Sequence, residues 1–184
     1  MTTTPDLTGL FSDRFAKNLF PVPATNQFPM GICAPPFELL EVKSGKRVKP
    51  SDYATVQPIV LAFTRIFTDR HYCPLCHPHI KALNEAYEQF VQRGVEVLMI
   101  TSTDADQSQI VAQDLGLKMP LLSDPDCKAF RSYQLGQALG APLPAQFVLD
   151  RAGRICFRHL FSFLEPNASV ERLLAAVDTV LQTS

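Results

Sequence analysis

The sequence predicts an α/β sandwich with a mixed central β-sheet flanked by helices and an N-terminal helical extension. Two observations carry this. Apolar runs such as Ile59-Val60-Leu61-Ala62-Phe63 and Val95 to Ile100 alternate with stretches of helical period. The chain then closes on an antiparallel hairpin and a last amphipathic helix, which calls for a sheet with mixed strand directions. At 184 residues, 46% apolar and 19% charged, one domain can build a sizeable core.

Charge and composition narrow the function classes. Net charge is −1 and no basic block occurs, so neither nucleic acid nor a membrane surface is expected as a partner. No apolar run approaches the roughly 18 residues of a membrane span. Five cysteines, an odd number without a recognisable secretory signal, speak against a disulfide scaffold. They fit a reducing compartment, and a cytoplasmic location is expected.

Residues 1–29 read as an N-terminal extension to a domain over 30–184. Leu7, Leu10, Phe11, Phe15 and Leu19 recur at helical spacing and predict a short helix over about 6–19. Pro21, Pro23 and Pro29 then impose an extended connector. Such a helix packs on its own domain or forms a homodimer contact. Residues 35–49, with Phe37, Leu39, Val42 and Val48 around Ser44-Gly45-Lys46, predict a β-hairpin. A strand over 56–64 follows. The helix predicted next carries Ile80, Leu83, Tyr87, Phe90 and Val91 and ends near Gly94. Pro78 is expected to kink its start, because a proline inside a helix removes a backbone hydrogen bond.

Val95 to Ile100 predicts a second buried strand. Thr103 or Asp104 can cap the next helix, and Gly116 closes it. Pro120-Leu121-Leu122 is expected as a short edge element and 126–133 as a short helix. Phe147 to Asp150 and Ile155 to Phe161, turning at Ala152-Gly153, predict the antiparallel hairpin. Val170, Leu173, Leu174, Val177 and Val180 mark the closing helix.

The chemistry concentrates at Cys73-Pro74-Leu75-Cys76, between the 59–63 run and the helical pattern. That order places both sulfurs at a helix N-terminus, where unpaired N–H groups and the helix dipole favour thiolate. Pro74 suits a first helical position. In open α/β sheets the working site lies at the carboxyl ends of the strands, where this motif falls. Two cysteines three apart can bridge reversibly, so the leading reading is a redox dithiol.

Other readings of the same residues remain open. Cys73 to His77 spells CxxCH, the pattern of c-type haem attachment, although a strand leads directly into it. Cys73, Cys76, His77 and His79 could ligate a metal, but zinc sites usually draw a second ligand pair from further along, and Cys33, Cys127 and Cys156 stand singly. Two buried cysteines can also act as small hydrophobes. No metal and no cofactor are expected. Cys33, Cys127 and Cys156 are read as structural.

Several stretches resemble the AhpC/TSA, or peroxiredoxin-type, branch of the thioredoxin superfamily. Ala34-Pro35-Pro36-Phe37-Glu38-Leu39 is similar to its APDFxL opening, and Val48-Lys49-Pro50-Ser51-Asp52-Tyr53 to its VxLSDY. Thr101-Ser102-Thr103-Asp104 and Leu121-Leu122-Ser123-Asp124-Pro125-Asp126 resemble VSxD and LLSDPD, and Phe147-Val148-Leu149-Asp150 with Gly153 resembles FxIDxxG. Together they span about 30–181 and imply a thioredoxin-like fold. The active site departs from the family's PxxxTxxC: Cys73 and Asp69 stand at the Thr and Pro positions counted from Cys76, and Arg70 and Ile66 do so counted from Cys73. Which cysteine matches the peroxidatic one stays open. Where the family carries an Arg, this chain has Leu143-Pro144-Ala145-Gln146, which resembles the thioredoxin loop with a cis proline facing the CxxC.

The resemblance therefore implies a peroxiredoxin-like redoxin with a thioredoxin-style CxxC and an antioxidant or redox-homeostasis role. Cys73 is expected to attack a protein disulfide as thiolate, and Cys76 to resolve the mixed intermediate. Arg70, His71 or His77 could lower the first thiol's pKa through charge. Pro144 would shape the surface that docks the partner, and an external thiol reductant would complete the cycle. The alternatives are a thiol peroxidase acting on hydroperoxides, and a non-catalytic redox sensor or metal-binding thioredoxin-fold protein.

Overall fold

The computed structural model describes residues 13–25 and 27–183. In chain order these form α1 (Asp13–Lys17), β1 (Leu39–Glu41), β2 (Arg47–Val48), a 3₁₀ turn (Pro50–Asp52), β3 (Ile59–Phe63) and α2 (His77–Val91). Then come β4 (Glu96–Thr101), α3 (Ala105–Asp114), β5 (Leu121–Ser123) and α4 (Lys128–Ser132). The chain finishes with the short pair β6 (Gln137–Ala138) and β7 (Ala141–Pro142), then β8 (Ala145–Leu149), β9 (Ile155–Leu160) and α5 (Val170–Gln182). Of the helix expected over about 6–19, residues 6–12 lie outside the described residues.

Seven strands join in the order β2-β1-β5-β4-β3-β8-β9. β3 pairs in parallel with β4 and antiparallel with β8, so Leu61 lies between Leu98 and Phe147. A strand flanked on both sides and covered on both faces must be apolar throughout, and all five β3 residues are buried. Val60 and Ala62 face Ile80, Leu83 and Phe90 of α2 and Leu173 and Val177 of α5. Leu61 and Phe63 face Phe130, Tyr133 and Phe147, with the Phe63 ring 4.9 Å from Tyr133 and 5.0 Å from Phe130. This is the mixed, helix-flanked sheet of the thioredoxin-like fold.

Two local expectations are corrected. Leu121 and Leu122 do not lie at an edge, because the hairpin β1–β2 pairs outside them, Leu40 opposite Ser123 and Glu41 opposite Leu122. Their burial follows from that cover. Pro78 does not sit inside α2 but at its second position, since the helix begins at His77. A first-turn N–H has no intrahelical acceptor, so its loss there breaks no helical hydrogen bond. Other signals match the structure: Asp104 accepts from the Gln107 N–H at 2.8 Å, and Gly94 takes the left-handed conformation, φ +67°, after α2.

The segment after α1 is pinned across the 134–142 stretch. Val22 bridges Gln137, and the N–H groups of Leu139 and Gly140 donate to Leu19 and Asn18 carbonyls at 3.1 and 3.0 Å. Arg14 donates to the Phe67 and Ile66 carbonyls and to Ser102 Oγ at 2.8 Å. No helix among the described residues is long and apolar enough to cross a membrane.

Candidate functional site

β3 leaves the sheet through a small hairpin that returns the chain to the strand end. Thr64 N–H stays on the Ile100 carbonyl at 2.8 Å, Ile66 bridges Tyr72, and Phe67 N–H donates to His71 at 2.9 Å. The next residue after that bridge is Cys73. Cys73 to Cys76 form a turn, with the N–H groups of Cys76 and His77 both on the Cys73 carbonyl at 3.0 and 2.9 Å. Pro74 therefore sits in this turn and not at a helical first position; its fixed φ suits the second residue of such a turn. Cys76 is the N-cap of α2.

The two thiols, both free, are unequal. Cys73 is 5% exposed and Cys76 fully buried, while Pro74 and Leu75 between them face solvent. The Cys73 thiol is pulled down to about 6, first by a hydrogen bond from the Cys76 S–H. Burial opposes this, while the Leu75 and Cys76 backbone N–H groups and the Arg65 charge add to it. Cys76 is pushed up by the same shared hydrogen bond, by burial and by the Cys73 charge. At neutral pH the arrangement is a thiolate on Cys73 beside a protonated Cys76.

Arg65 was not among the residues singled out from sequence. It is buried, stacked at 4.8 Å on the Phe67 ring, and donates to the Ala138 and Leu139 carbonyls, the second at 3.3 Å. The second missed group is a pair of amides. Gln146 Nε2 donates to Asn167 Oδ1 at 2.9 Å, and Asn167 Nδ2 reaches the Leu75 carbonyl at 3.1 Å and Cys76 Sγ at 4.0 Å. The one sequence signal for Gln146 is an amide in an otherwise apolar strand; Asn167 gives none.

The charged neighbours named from sequence have other side-chain partners. Arg70 is largely exposed, with its Nε 3.8 Å from Asp69. His71 Nδ1 is bonded to Thr68 Oγ1 at 2.8 Å, and the His77 ring lies 4.9 Å from Tyr72. None of the three figures among the causes that shift Cys73. His79 is bonded to the Ala168 carbonyl at 2.9 Å, and burial lowers its pKa to about 4. No cluster of three metal-ligating side chains occurs among the described residues.

Pro144 is buried directly before β8, whose Ala145 pairs with Phe63, so it lies at the strand end from which the CxxC loop departs. Its peptide bond is trans, contrary to the cis expectation. β7 passes into β8 with no turn between them, and nothing in that path requires the higher-energy isomer. Cys127 is buried and its thiol is raised to about 11 by burial, while Cys33 and Cys156 are exposed.

A mixed sheet with a paired dithiol at the carboxyl end of a central parallel strand defines a redoxin scaffold. The sequence profile of the AhpC/TSA family matches residues 30–158, and the chain belongs to that family. It is 30% identical over 88 residues to the thiol-disulfide oxidoreductase ResA of Bacillus thuringiensis (strain Al Hakam), a match covering 46% of each chain. It is 28% identical over 144 residues to chloroplastic peroxiredoxin Q of Suaeda salsa, covering 76% of this chain and 64% of that protein. The chain thus spans about half the length of the first relative. Reduced 2-Cys peroxiredoxin of Plasmodium vivax superposes with a TM-score of 0.72 at 20% identity, over 83% of this chain and 82% of that one.

Proposed function

We propose that the chain is a thiol–disulfide oxidoreductase whose reacting pair is Cys73 and Cys76, carried by a domain over 30–184. The observation that carries the reading is the inequality of the two thiols: Cys73, 5% exposed, is drawn down to about 6, and Cys76, fully buried, is pushed up. Cys73 Sγ attacks one sulfur of a partner disulfide, and the other partner sulfur leaves with the bonding pair and takes a proton. Cys76 then loses its proton and attacks Cys73 Sγ, releasing the second partner thiol. The cysteines, starting as one thiolate and one thiol, have lost two electrons and one proton; the partner has gained two electrons and two protons, the second proton coming from solvent. An external thiol returns Cys73–Cys76 to the dithiol in a reducing compartment. Arg65, more than Arg70, His71 or His77, holds the charge that Cys73 feels.

The likeness to ResA supports this reading; the likeness to peroxiredoxin Q supports a second one. There the Cys73 thiolate attacks the terminal oxygen of a hydroperoxide, the O–O bond breaks and the alcohol leaves after taking a proton from solvent, and the resulting sulfenic acid condenses with the Cys76 thiol as water leaves. The Arg65 guanidinium beside the thiolate favours this chemistry, but the Thr and Arg of the family pattern have no counterpart at their positions.

Trapping separates the roles of the cysteines. Cys76→Ser should accumulate mixed disulfides with partner proteins and Cys73→Ser few, while the wild type reduces insulin disulfides. Insulin left intact, with hydroperoxide consumed quickly, would exchange the two readings.

A further inference from the structure

The amide pair behind the motif has one hydrogen-bonding arrangement, fixed at both ends by backbone. Gln146 is fully buried, and its Oε1 accepts from the Ala168 N–H at 2.8 Å, a group that can only donate. Its Nε2 is therefore the donor to Asn167 Oδ1. That leaves Asn167 Nδ2 aimed at the Leu75 carbonyl, which can only accept, and at Cys76 Sγ. Neither amide can flip without setting donor against donor or acceptor against acceptor.

The consequence falls on the second step of exchange. Once Cys73 is tied up in a mixed disulfide it carries no charge, and what still opposes ionisation of Cys76 is burial. A donor fixed on that sulfur offsets burial, and a hydrogen bond strengthens as its acceptor becomes charged. The same N–H group holds the Leu75 carbonyl, and so the turn that sets one sulfur against the other.

We propose that Asn167 is the group that readies Cys76 for resolution, donating to its sulfur as the thiolate forms, and that Gln146 is the positioning residue that fixes the Asn167 amide. The inference rests on the exchange reading above. The step it governs is the loss of the Cys76 proton to solvent, attack of Cys76 on Cys73 Sγ, and departure of the bound thiolate with the electron pair of the broken S–S bond.

The test uses the reduced full chain with the exposed Cys33 and Cys156 replaced by serine, the wild type of this assay and the parent of every variant in it; 5,5′-dithiobis(2-nitrobenzoate) then releases one coloured thiolate when Cys73 attacks and a second when Cys76 resolves. Asn167→Asp keeps the shape but sets a carboxylate against the Leu75 carbonyl and the sulfur; Asn167→Ala removes the donor. Both should leave the first phase within about twofold and slow the second by roughly tenfold to a hundredfold, the value of a hydrogen bond to a charged group. The pH midpoint of the second phase should rise with them, which a purely structural contact would not produce. Gln146→Leu should act in the same direction and less strongly. Equal slowing of both phases, or a second phase unchanged in rate and midpoint, overturns the assignment. A wild type that releases only one equivalent, or a Cys73→Ser protein that keeps the first phase, instead overturns the exchange reading itself.

Discussion

Lowering the pH from 7 to 5 should separate Cys73 from an ordinary thiol by about an order of magnitude. With its thiol near 6, Cys73 is about 90% thiolate at pH 7 and about 9% at pH 5. A thiol titrating at about 8.5 is about 3% and about 0.03% ionised at the same two values. Lower basicity also weakens the nucleophile: with a Brønsted coefficient of about 0.45, a difference of about 2.5 units costs a factor of about 13. Relative to that thiol, Cys73 should thus react about twice as fast at pH 7 and about twenty times as fast at pH 5. Limited access to Cys73, 5% exposed, lowers both ratios alike and cancels in their comparison. The assay is competition between the reduced protein and a short cysteine peptide for methyl methanethiosulfonate, with peptide mapping of the labelled residue. A ratio that stays constant between the two pH values would refute the stabilised thiolate, as would first labelling at Cys76.

Cys76→Ala should raise the Cys73 midpoint more than Arg65→Gln, because the Cys76 S–H is the largest cause of the depression and Arg65 a smaller one; pH-dependent alkylation reads both. Thermal unfolding of the reduced protein should show stability rising from about pH 6 towards about 9. The unfolded chain keeps the Cys73 proton up to its ordinary value near 9 while the fold has released it, so the contribution is lost as pH falls through about 6. Above 9 the trend should reverse, since Cys76 stays protonated in the fold where the unfolded chain ionises, and Cys73→Ser should flatten the rise. His79 should add an acid limb: its pKa falls from 6.5 to about 4 on folding, so the unfolded chain binds a proton first and stability drops between those values. His79→Gln, which keeps a donor for the Ala168 carbonyl, should reduce that slope in the same melts. With neither family donor at its position, and each such donor worth about 10²–10³ in rate, stopped-flow peroxide oxidation should be Cys73-dependent and slow. A rate above about 10⁵ M⁻¹s⁻¹ without insulin reduction would reverse the ranking of the two activities.

What could be read from sequence followed from periodicity and short-range chemistry. β3, α2, the Asp104 cap and the 145–160 hairpin are each specified within a few residues, by an apolar run, a 3.6-residue pattern, an Asx acceptor or a turn glycine. The candidate site proposed above was legible as far as its two sulfurs. Its supports were not, because they arrive through the sheet. Asn167 lies 91 positions from Cys76, and Arg65 reaches the thiols only because the chain doubles back through the Ile66–Tyr72 bridge. That same bridge leaves Arg70, only three positions before Cys73, out at the surface. Leu121 and Leu122 read as edge residues for a related reason: their outer neighbour, β1, comes from far earlier in the chain, Glu41 pairing with Leu122.

The inequality of the two sulfurs is a property of the strand ends more than of the motif. Burial raises both thiols, so a thiolate survives at Cys73 only where donors outweigh that cost, and there they do: two backbone N–H groups, the Cys76 S–H and Arg65. Cys76 has the deeper position and a weaker set, the Arg65 backbone and the Asn167 amide. Forming the Cys73–Cys76 bond removes the charge that the first set holds, so those donors would face a neutral sulfur. Donors that stabilise the reduced state in this way make the disulfide a stronger oxidant. In the exchange proposed above, the Cys73 donors would therefore promote attack and resist accumulation of the oxidised form, while the amide pair behind Cys76 would favour the step that produces it. Under that proposal reduction and resolution are biased by different elements: the turn and the β3 exit for the first, β8 and the loop before α5 for the second.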